Sequence, residues 1–400
     1  MKILHVIPSL SPKLGGPTIV ALKLVHELRR QGVDAEIATT NYDVIGSLDV
    51  PLNQKIDYVF DATHNLSVPA WFFPYSSPSI RYYIFSLPLT LWLWENIPKY
   101  DVIDSHYLFS YASTCSAIIS NFYGIPYTMR AMGQLSSWAL NQGQLKKKLY
   151  LALLERRNLR NASAIHCTSL AEAQDVSALG LYTPRVVLPL GVDQPAHTVD
   201  ASILLRNQYG IPEQTPIILF ISRLDKKKRV DLVIESLSKL RDREYTFYSI
   251  IAGSGDSNYV RKLMELVDKH DLHNYISFPG FVDGPDKNIL LQGSDLFVLP
   301  SHSENFGIAV AEALIAKLPV IITHGIQISS DILAANAGLV IEDNIDSLTS
   351  AIANLIDDSI LRQNLGQNGY NFAKTHYDWH TISQNLSDVY GSICEHKTLN

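Results

Sequence analysis

Two carboxylates, Glu304 and Glu312, flank Phe306-Gly307 in the run Pro300-Ser-His-Ser-Glu-Asn-Phe-Gly-Ile-Ala-Val-Ala-Glu312. Upstream, Asp295-Leu-Phe-Val-Leu-Pro300 reads as a short apolar strand; downstream, Ile308 to Ala316 reads as a helix. Glu304 is therefore expected in the loop and Glu312 inside the helix. Such a turn aims the unpaired amides of Gly307 and Ile308 outward, where donors and helix dipole together can hold a phosphate. Carboxylates beside that anion site are expected to accept hydrogen bonds only from neutral hydroxyls, as on sugars. The arrangement suggests a nucleotide-sugar site.

Other residues point to the same anion. In Phe220-Ile-Ser-Arg223-Leu-Asp-Lys-Lys-Lys228-Arg229, Arg223 and Lys228 lie five apart across a loop that follows a strand. Arginine offers phosphate oxygens a planar fork, and lysine a mobile point charge. Lys226, Lys227 and Arg229 read more simply as a solvated basic loop. Near the start, Gly15-Gly16 sits in Ser11-Pro-Lys-Leu-Gly-Gly-Pro-Thr18 between a strand and a helix. Paired glycines permit close approach of a ligand to the backbone, though a plain turn reads equally well. The turn Ala252-Gly253-Ser-Gly255-Asp256 carries the same two readings. His106 ends the run Asp101-Val-Ile-Asp-Ser105 at a strand terminus, which makes it either a ligand contact or a structural histidine.

The elements that must position these residues alternate. Strand-like runs at Lys2–Pro8, Ala35–Thr39, Val102–Ser105, Tyr127–Arg130 and Ala164–Thr168 enclose helical patterns at Ile19–Gln31, Ala112–Phe122, Lys146–Leu159 and Leu170–Leu179. The same grammar resumes from Pro216–Ile221 to Leu339–Ile341. Uninterrupted apolar strands with intervening helices imply parallel sheets covered on both faces. The fold class is thus α/β, two Rossmann-like doubly wound domains facing across a cleft at the strand C-termini. The domains are expected at residues 1–189 and 190–375, with a closing helix at 376–394 returning to the first.

Composition sets outer bounds. Four hundred residues exceed what one core usually serves. A net charge of −6 argues against nucleic acid as a partner. Cys115, Cys167 and Cys394 are too far apart for a metal pattern, and Met1-Lys-Ile-Leu-His-Val-Ile opens directly into a strand-like run. A reduced cytoplasm is the expected setting. The aromatic region Trp71 to Trp94 contains Pro88, and its apolar stretch falls short of the roughly 20 residues that span a bilayer. It reads as buried helix or loop.

Taken together, these segments resemble glycosyltransferase family 4, retaining nucleotide-sugar transferases of the two-Rossmann (GT-B) fold. Gly15-Gly16, Ser222-Arg223-Leu with Lys228, Gly253-Ser-Gly255, Gly280-Phe-Val and Glu304-Asn-Phe-Gly-Ile with Glu312 occur in family order over nearly the whole chain. Tyr127-Thr-Met-Arg-Ala-Met-Gly133 through Ser163-Ala-Ile-His-Cys-Thr-Ser169 is similar to members that build bacterial surface polysaccharides. The resemblance implies that Arg223 and Lys228 grip the donor diphosphate, helped by the Gly307 and Ile308 amides beside Phe306. Glu312 would bind ribose hydroxyls and Glu304 the transferred sugar. Phe281 and Val282 would border the base, Gly253 would line the donor site, and Gly15 and Gly16 would let the first domain close over the diphosphate. His106 would meet sugar or acceptor near the reacting carbon. Arg229 departs from the family, which usually has glycine there.

The implied donor is a UDP- or GDP-sugar and the acceptor a hydroxyl of a glycan, a lipid-linked molecule or a small molecule. No cofactor and no metal is expected, since the chain has no Asp-x-Asp pair and Arg223 with Lys228 can serve instead. Rival readings are a nucleotide-sugar epimerase of the same fold, a phosphorylase with pyridoxal phosphate, and a non-catalytic sugar-binding protein. The basic, amphipathic-looking stretch 145–160 is a candidate for peripheral contact with the inner face of the membrane.

Overall fold

The computed structural model describes residues 1–44, 46–61, 64–76, 83–141 and 150–397. The chain divides into two units, one of Met1–Gly191 with Trp379–Asn400 and one of Val192–Asp378.

The first unit is an eight-stranded sheet. Its strands are β1 (Lys2–Ser9), β2 (Asp34–Thr40), β3 (Lys55–Asp61), β4 (Leu66–Phe73), β5 (Val102–His106), β6 (Tyr127–Arg130), β7 (Ala164–Cys167) and β8 (Arg185–Val187). They lie in the order β8-β7-β6-β5-β1-β2-β4-β3. All neighbours are parallel except β3, which returns antiparallel on β4 and gives the sheet a mixed edge. The sequence reading did not separate this pair. Pro69 interrupts the run, but β4 begins pairing with β2 only at Ala70, so no ladder bond to β2 is lost there. The Trp71 to Trp94 region is accordingly not all helix or loop: Trp71–Phe73 close β4, and α2 (Leu87–Asn96) follows. Residues 77–82 between them lie outside the described residues.

Helices α1 (Gly16–Arg30), α3 (Tyr111–Tyr123), α4 (Arg156–Asn161) and α5 (Leu170–Ala178) join the remaining strands. Ser110 caps α3 through the Ser113 amide, and Gly124 ends it in the left-handed region. The C-terminal helix Trp379–Lys397 lies against α1, where Gln31 Nε2 donates to Ser383 Oγ at 2.7 Å. Residues 145–149 of the basic stretch fall outside the described residues. In the rest of it Glu155, Asn158 and Leu159 are buried, while Leu154, Arg156, Arg157 and Arg160 are exposed. Residues 156–160 thus pack Asn158 and Leu159 inward and turn three arginines outward.

The second unit is a six-stranded, wholly parallel sheet of β9 (Ile217–Ile221), β10 (Tyr248–Ala252), β11 (Ile276–Gly280), β12 (Leu296–Leu299), β13 (Val320–Thr323) and β14 (Gly338–Ile341). The order is β11-β10-β9-β12-β13-β14. Every residue of β9 and β12 is buried, which explains their unbroken apolar sequence. Helices α6 (Val230–Asp242), α7 (Ser257–Lys269), α8 (Gly284–Gly293) and α9 (Ile308–Ile315) supply crossovers. In α6, Val230, Val233, Ile234, Leu237 and Leu240 recur at helical spacing and are buried, each stabilising by about 1.5–3 kcal/mol.

Candidate functional site

The strand order of the second unit reverses between β9 and β12, the kind of switch point at which doubly wound sheets bind ligands beyond the strand C-termini. Residues 222–229 follow β9, and residues 300–307 follow β12. The two loops are tied together: the His302 amide donates to the Lys227 carbonyl at 2.9 Å. The first loop also rests on the turn after β10, where the Leu224 amide donates to the Ser254 carbonyl. A Cβ at Gly253 would sit 1.8 Å from the Ser222 carbonyl oxygen, so this glycine is required by backbone packing.

Lys228 Nζ reaches Glu304 Oε1 at 2.6 Å, and Lys227 Nζ stands 3.7 Å from the same oxygen. Burial holds the Lys227 amine below its usual range, and the like charges of Lys228 and Arg223 add to this against the pull of Glu304. Arg223 is exposed and, among the described residues, has no hydrogen bond or ion pair. Two lysines therefore share one carboxylate, and the Arg223 guanidinium lies near enough to act on Lys227. Lys227 belongs to this cluster, whereas its sequence suggested only a solvated basic loop.

The expectation that Glu304 and Glu312 wait for neutral hydroxyls is corrected. Each is paired with a lysine, because a half-buried carboxylate recruits the nearest cation. For Glu312 the partner is Lys287 on α8, with Nζ to Oε1 at 2.6 Å. Lys287 escaped sequence reasoning because it lies 25 residues away on another helix, beyond any periodic signal.

Gly307 has φ +79° and caps α9, and Ile308 is the first residue of that eight-residue helix. Their amides have no intrahelical partner, as anion binding at this end requires. Phe306 is corrected as a candidate ligand contact: it is buried, its ring 5.0 Å from that of Tyr377. After β11, Phe281 is 71% exposed and Val282 half-buried.

Arg229 has φ +56°, which explains why glycine suits this position. Its guanidinium is held by Asp231 and Asp343, and the loop keeps its left-handed turn with an arginine in it.

In the first unit, Gly15 caps α1 and Gly16 opens it, after a turn tied by Lys13 to Asp43 at 2.6 Å. His106 is corrected as a substrate contact. It is wholly buried, its Nε2 3.0 Å from His5 Nδ1. Asp104, Arg130, His166 and Tyr390 complete this interior cluster. Burial pushes His106 well below the usual imidazole range, His5 to about 4 and His166 to about 3, so all three are neutral. Asp104 is held low despite its burial, chiefly by Arg130 Nε at 2.9 Å. His5, Asp104 and His106 have donor atoms within 4.8 Å of one another. The guanidinium already neutralises that carboxylate, so the group does not fit a second cation.

Residues 202–372 match the family described as glycosyl transferases group 1, and residues 15–191 match the glycosyl transferase 4-like domain. Between them the two family models cover most of the chain, which is a glycosyltransferase of the family 4 type. Its fold is GT-B: Anabaena HepE, solved in complex with UDP and glucose, superposes with a TM-score of 0.77 at 20% identity. That alignment covers 98% of this glycosyltransferase and all of HepE. A D-inositol 3-phosphate glycosyltransferase of Pseudarthrobacter chlorophenolicus is 26% identical over 276 residues, 67% of this chain. The chain spans 65% of that relative's length. The O-antigen biosynthesis glycosyltransferase WclY of Escherichia coli is 34% identical over 119 residues, covering 30% of this chain and 31% of WclY. No helix among the described residues is long and apolar enough to cross a membrane.

Proposed function

We propose that this glycosyltransferase moves a sugar from a UDP- or GDP-sugar to a hydroxyl of a glycan or lipid-linked acceptor, with retention and without a divalent metal. One observation carries the reading: Lys227 and Lys228 share the single carboxylate of Glu304 at the switch point of the donor-side sheet, with the charge of Arg223 acting on Lys227 beside them. A diphosphate supplies the missing negative charge. HepE, which shares the fold, is described as binding UDP, and WclY as acting in O-antigen biosynthesis.

In this reading Arg223 and Lys228 hold the diphosphate, and the Gly307 and Ile308 amides add donors. Fixed charges aimed at a departing diphosphate stabilise the transition state as negative charge grows there. Glu304 binds hydroxyls of the transferred sugar and Glu312 those of the ribose, each still oriented by its lysine. Phe281 and Val282 border the base. The acceptor attacks on the face the diphosphate leaves, and a phosphate oxygen takes its proton. The carboxylate of Glu304 is not the nucleophile.

A thermal-shift panel of UDP-, GDP- and ADP-sugars in chelator tests the donor. Stabilisation by UDP- or GDP-sugars, followed by transfer to an added acceptor with the anomeric configuration kept, is the expected result. No shift with any nucleotide sugar, or an altered sugar released without acceptor, would replace the reading.

A further inference from the structure

We propose that Asp343 is a positioning residue for sugar transfer: its one carboxylate clasps Arg229 and His302 and thereby holds Lys228 and Glu304 in place. The inference rests on the reading that Lys228 and Glu304 meet the donor. Asp343 follows the edge strand β14, with β12 and β13 standing between that strand and β9 in the sheet. Its Oδ1 accepts from Arg229 Nη1 in the loop after β9, and its Oδ2 pairs with His302 Nδ1 in the loop after β12. Each oxygen thus serves a different loop of the site. Arg229 Nε also donates to Asp231 Oδ2 at 3.1 Å, which fixes the plane of the guanidinium.

The resulting ring closes around Lys228. Before it in the chain, the Lys227 carbonyl accepts the His302 amide at 2.9 Å; after it, the Arg229 side chain is tied to Asp343. Both chain neighbours of Lys228 are therefore anchored outside their own loop. Arg229 has φ +56°, a conformation that a residue with a Cβ keeps only where its surroundings enforce it. Loss of that turn would redirect the lysine before it. Glu304 stands two residues past His302, its amide donating to the Gly325 carbonyl at 2.9 Å and its carbonyl accepting from Gln327. The carboxylate loop is thus held by the turn after β13 on one side and by Asp343 on the other. An isolated surface ion pair contributes little. Asp343 differs in joining two site loops at once, and its Arg229 partner is only 18% exposed. Misplacing a group that acts on the reacting bond by about 1 Å can cost roughly 10² in rate, so such a clasp bears on turnover more than on folding.

The experiment is steady-state kinetics of full-chain D343A, with the UDP- or GDP-sugar that the wild-type protein turns over, beside thermal melts. D343A should lower kcat about tenfold or more while the donor KM moves less than about threefold, because the charges it positions act as the diphosphate departs. D346A removes an exposed aspartate paired with Lys239, outside both loops, and should keep the wild-type kcat. R229G/H302A should lower kcat about as far as D343A does. Adding D343A to that pair should lower it no further, since the carboxylate acts only through those two side chains. Wild-type kcat in D343A, or a further drop on adding it to R229G/H302A, would overturn the proposal. So would a lowered melting midpoint with kcat per folded molecule unchanged, which is the signature of a structural role alone. Wild-type turnover in R223A and K228A would remove the donor reading and this role with it. Slowed turnover in those two variants with normal turnover in D343A would remove the role of Asp343 alone.

Discussion

Lys228 Nζ donates to Glu304 Oε1 across 2.6 Å, joining the loop after β9 to the loop after β12 where the strand order reverses. The bond pre-positions the cation and the carboxylate assigned to the two halves of one donor. Both side chains are mostly buried, so the pair is screened less than a surface bridge. In the proposed reaction an arriving diphosphate would share the Lys228 ammonium, with Lys227 still 3.7 Å from the Glu304 carboxylate.

Removing either diphosphate cation should slow turnover. Arg223→Ala and Lys228→Ala are each expected to cut kcat by roughly 10², the scale of losing one oxyanion donor. Arg223→Ala leaves the Lys228–Glu304 bond in place and should melt like the wild type. Wild-type steady-state kinetics in both variants would eliminate the diphosphate assignment.

Glu312→Ala should weaken binding of the bare nucleoside diphosphate by about 1–3 kcal/mol, through lost ribose bonds. Lys287→Met, which releases the orienting partner of Glu312, should weaken it in the same direction but less. Calorimetry giving wild-type affinity for Glu312→Ala would withdraw the ribose role.

Burial raises the Glu155 carboxyl from 4.5 to about 7, against the bonds it accepts from Thr114 Oγ1 and the Phe109 amide. Between those pH values the folded chain keeps a proton that the unfolded chain releases. Stability should therefore fall as pH rises through that window, by on the order of 3 kcal/mol in all, and the contribution is gone above about 7. Glu155→Gln keeps an acceptor and should flatten the slope. Parallel melting curves for both proteins across that range would disprove the account.

Tyr390 of the C-terminal helix donates its hydroxyl to Asp104, which also holds Arg130, inside the first unit. Tyr390→Phe should cost about 1–3 kcal/mol, because it leaves a buried carboxylate with one donor fewer. Urea denaturation showing no loss would mean a buried water already serves that oxygen.

Left-handed backbone at Arg229 costs about 1 kcal/mol for a residue with a Cβ. Its two aspartate contacts offset part of this. Arg229→Ala keeps the strain and loses the contacts, so it should be less stable than Arg229→Gly by about 1 kcal/mol. The reverse order in thermal melts would remove strain as the explanation.

Strand identity was legible wherever burial on both faces demands unbroken apolar runs, as in Ile217–Ile221 and Leu296–Leu299. The strand-loop-helix placing of Glu304 and Glu312 was legible too, since local pattern and turn chemistry carry it. The edge pair β3 and β4 was hidden, because half-exposed strands with a proline resemble loop.

Residue order alone determined that two Rossmann-like halves form and which loops follow their strands, because hydrophobic period and turn residues act over a few positions. Only the tertiary structure decided the inward turn of His106 and Phe306, the Lys287 partner of Glu312 and the joint hold of Asp343 on Arg229 and His302. Those outcomes depend on which distant side chains share a low-dielectric space, and charge pairing and desolvation are set by distances in space that spacing along the chain does not encode.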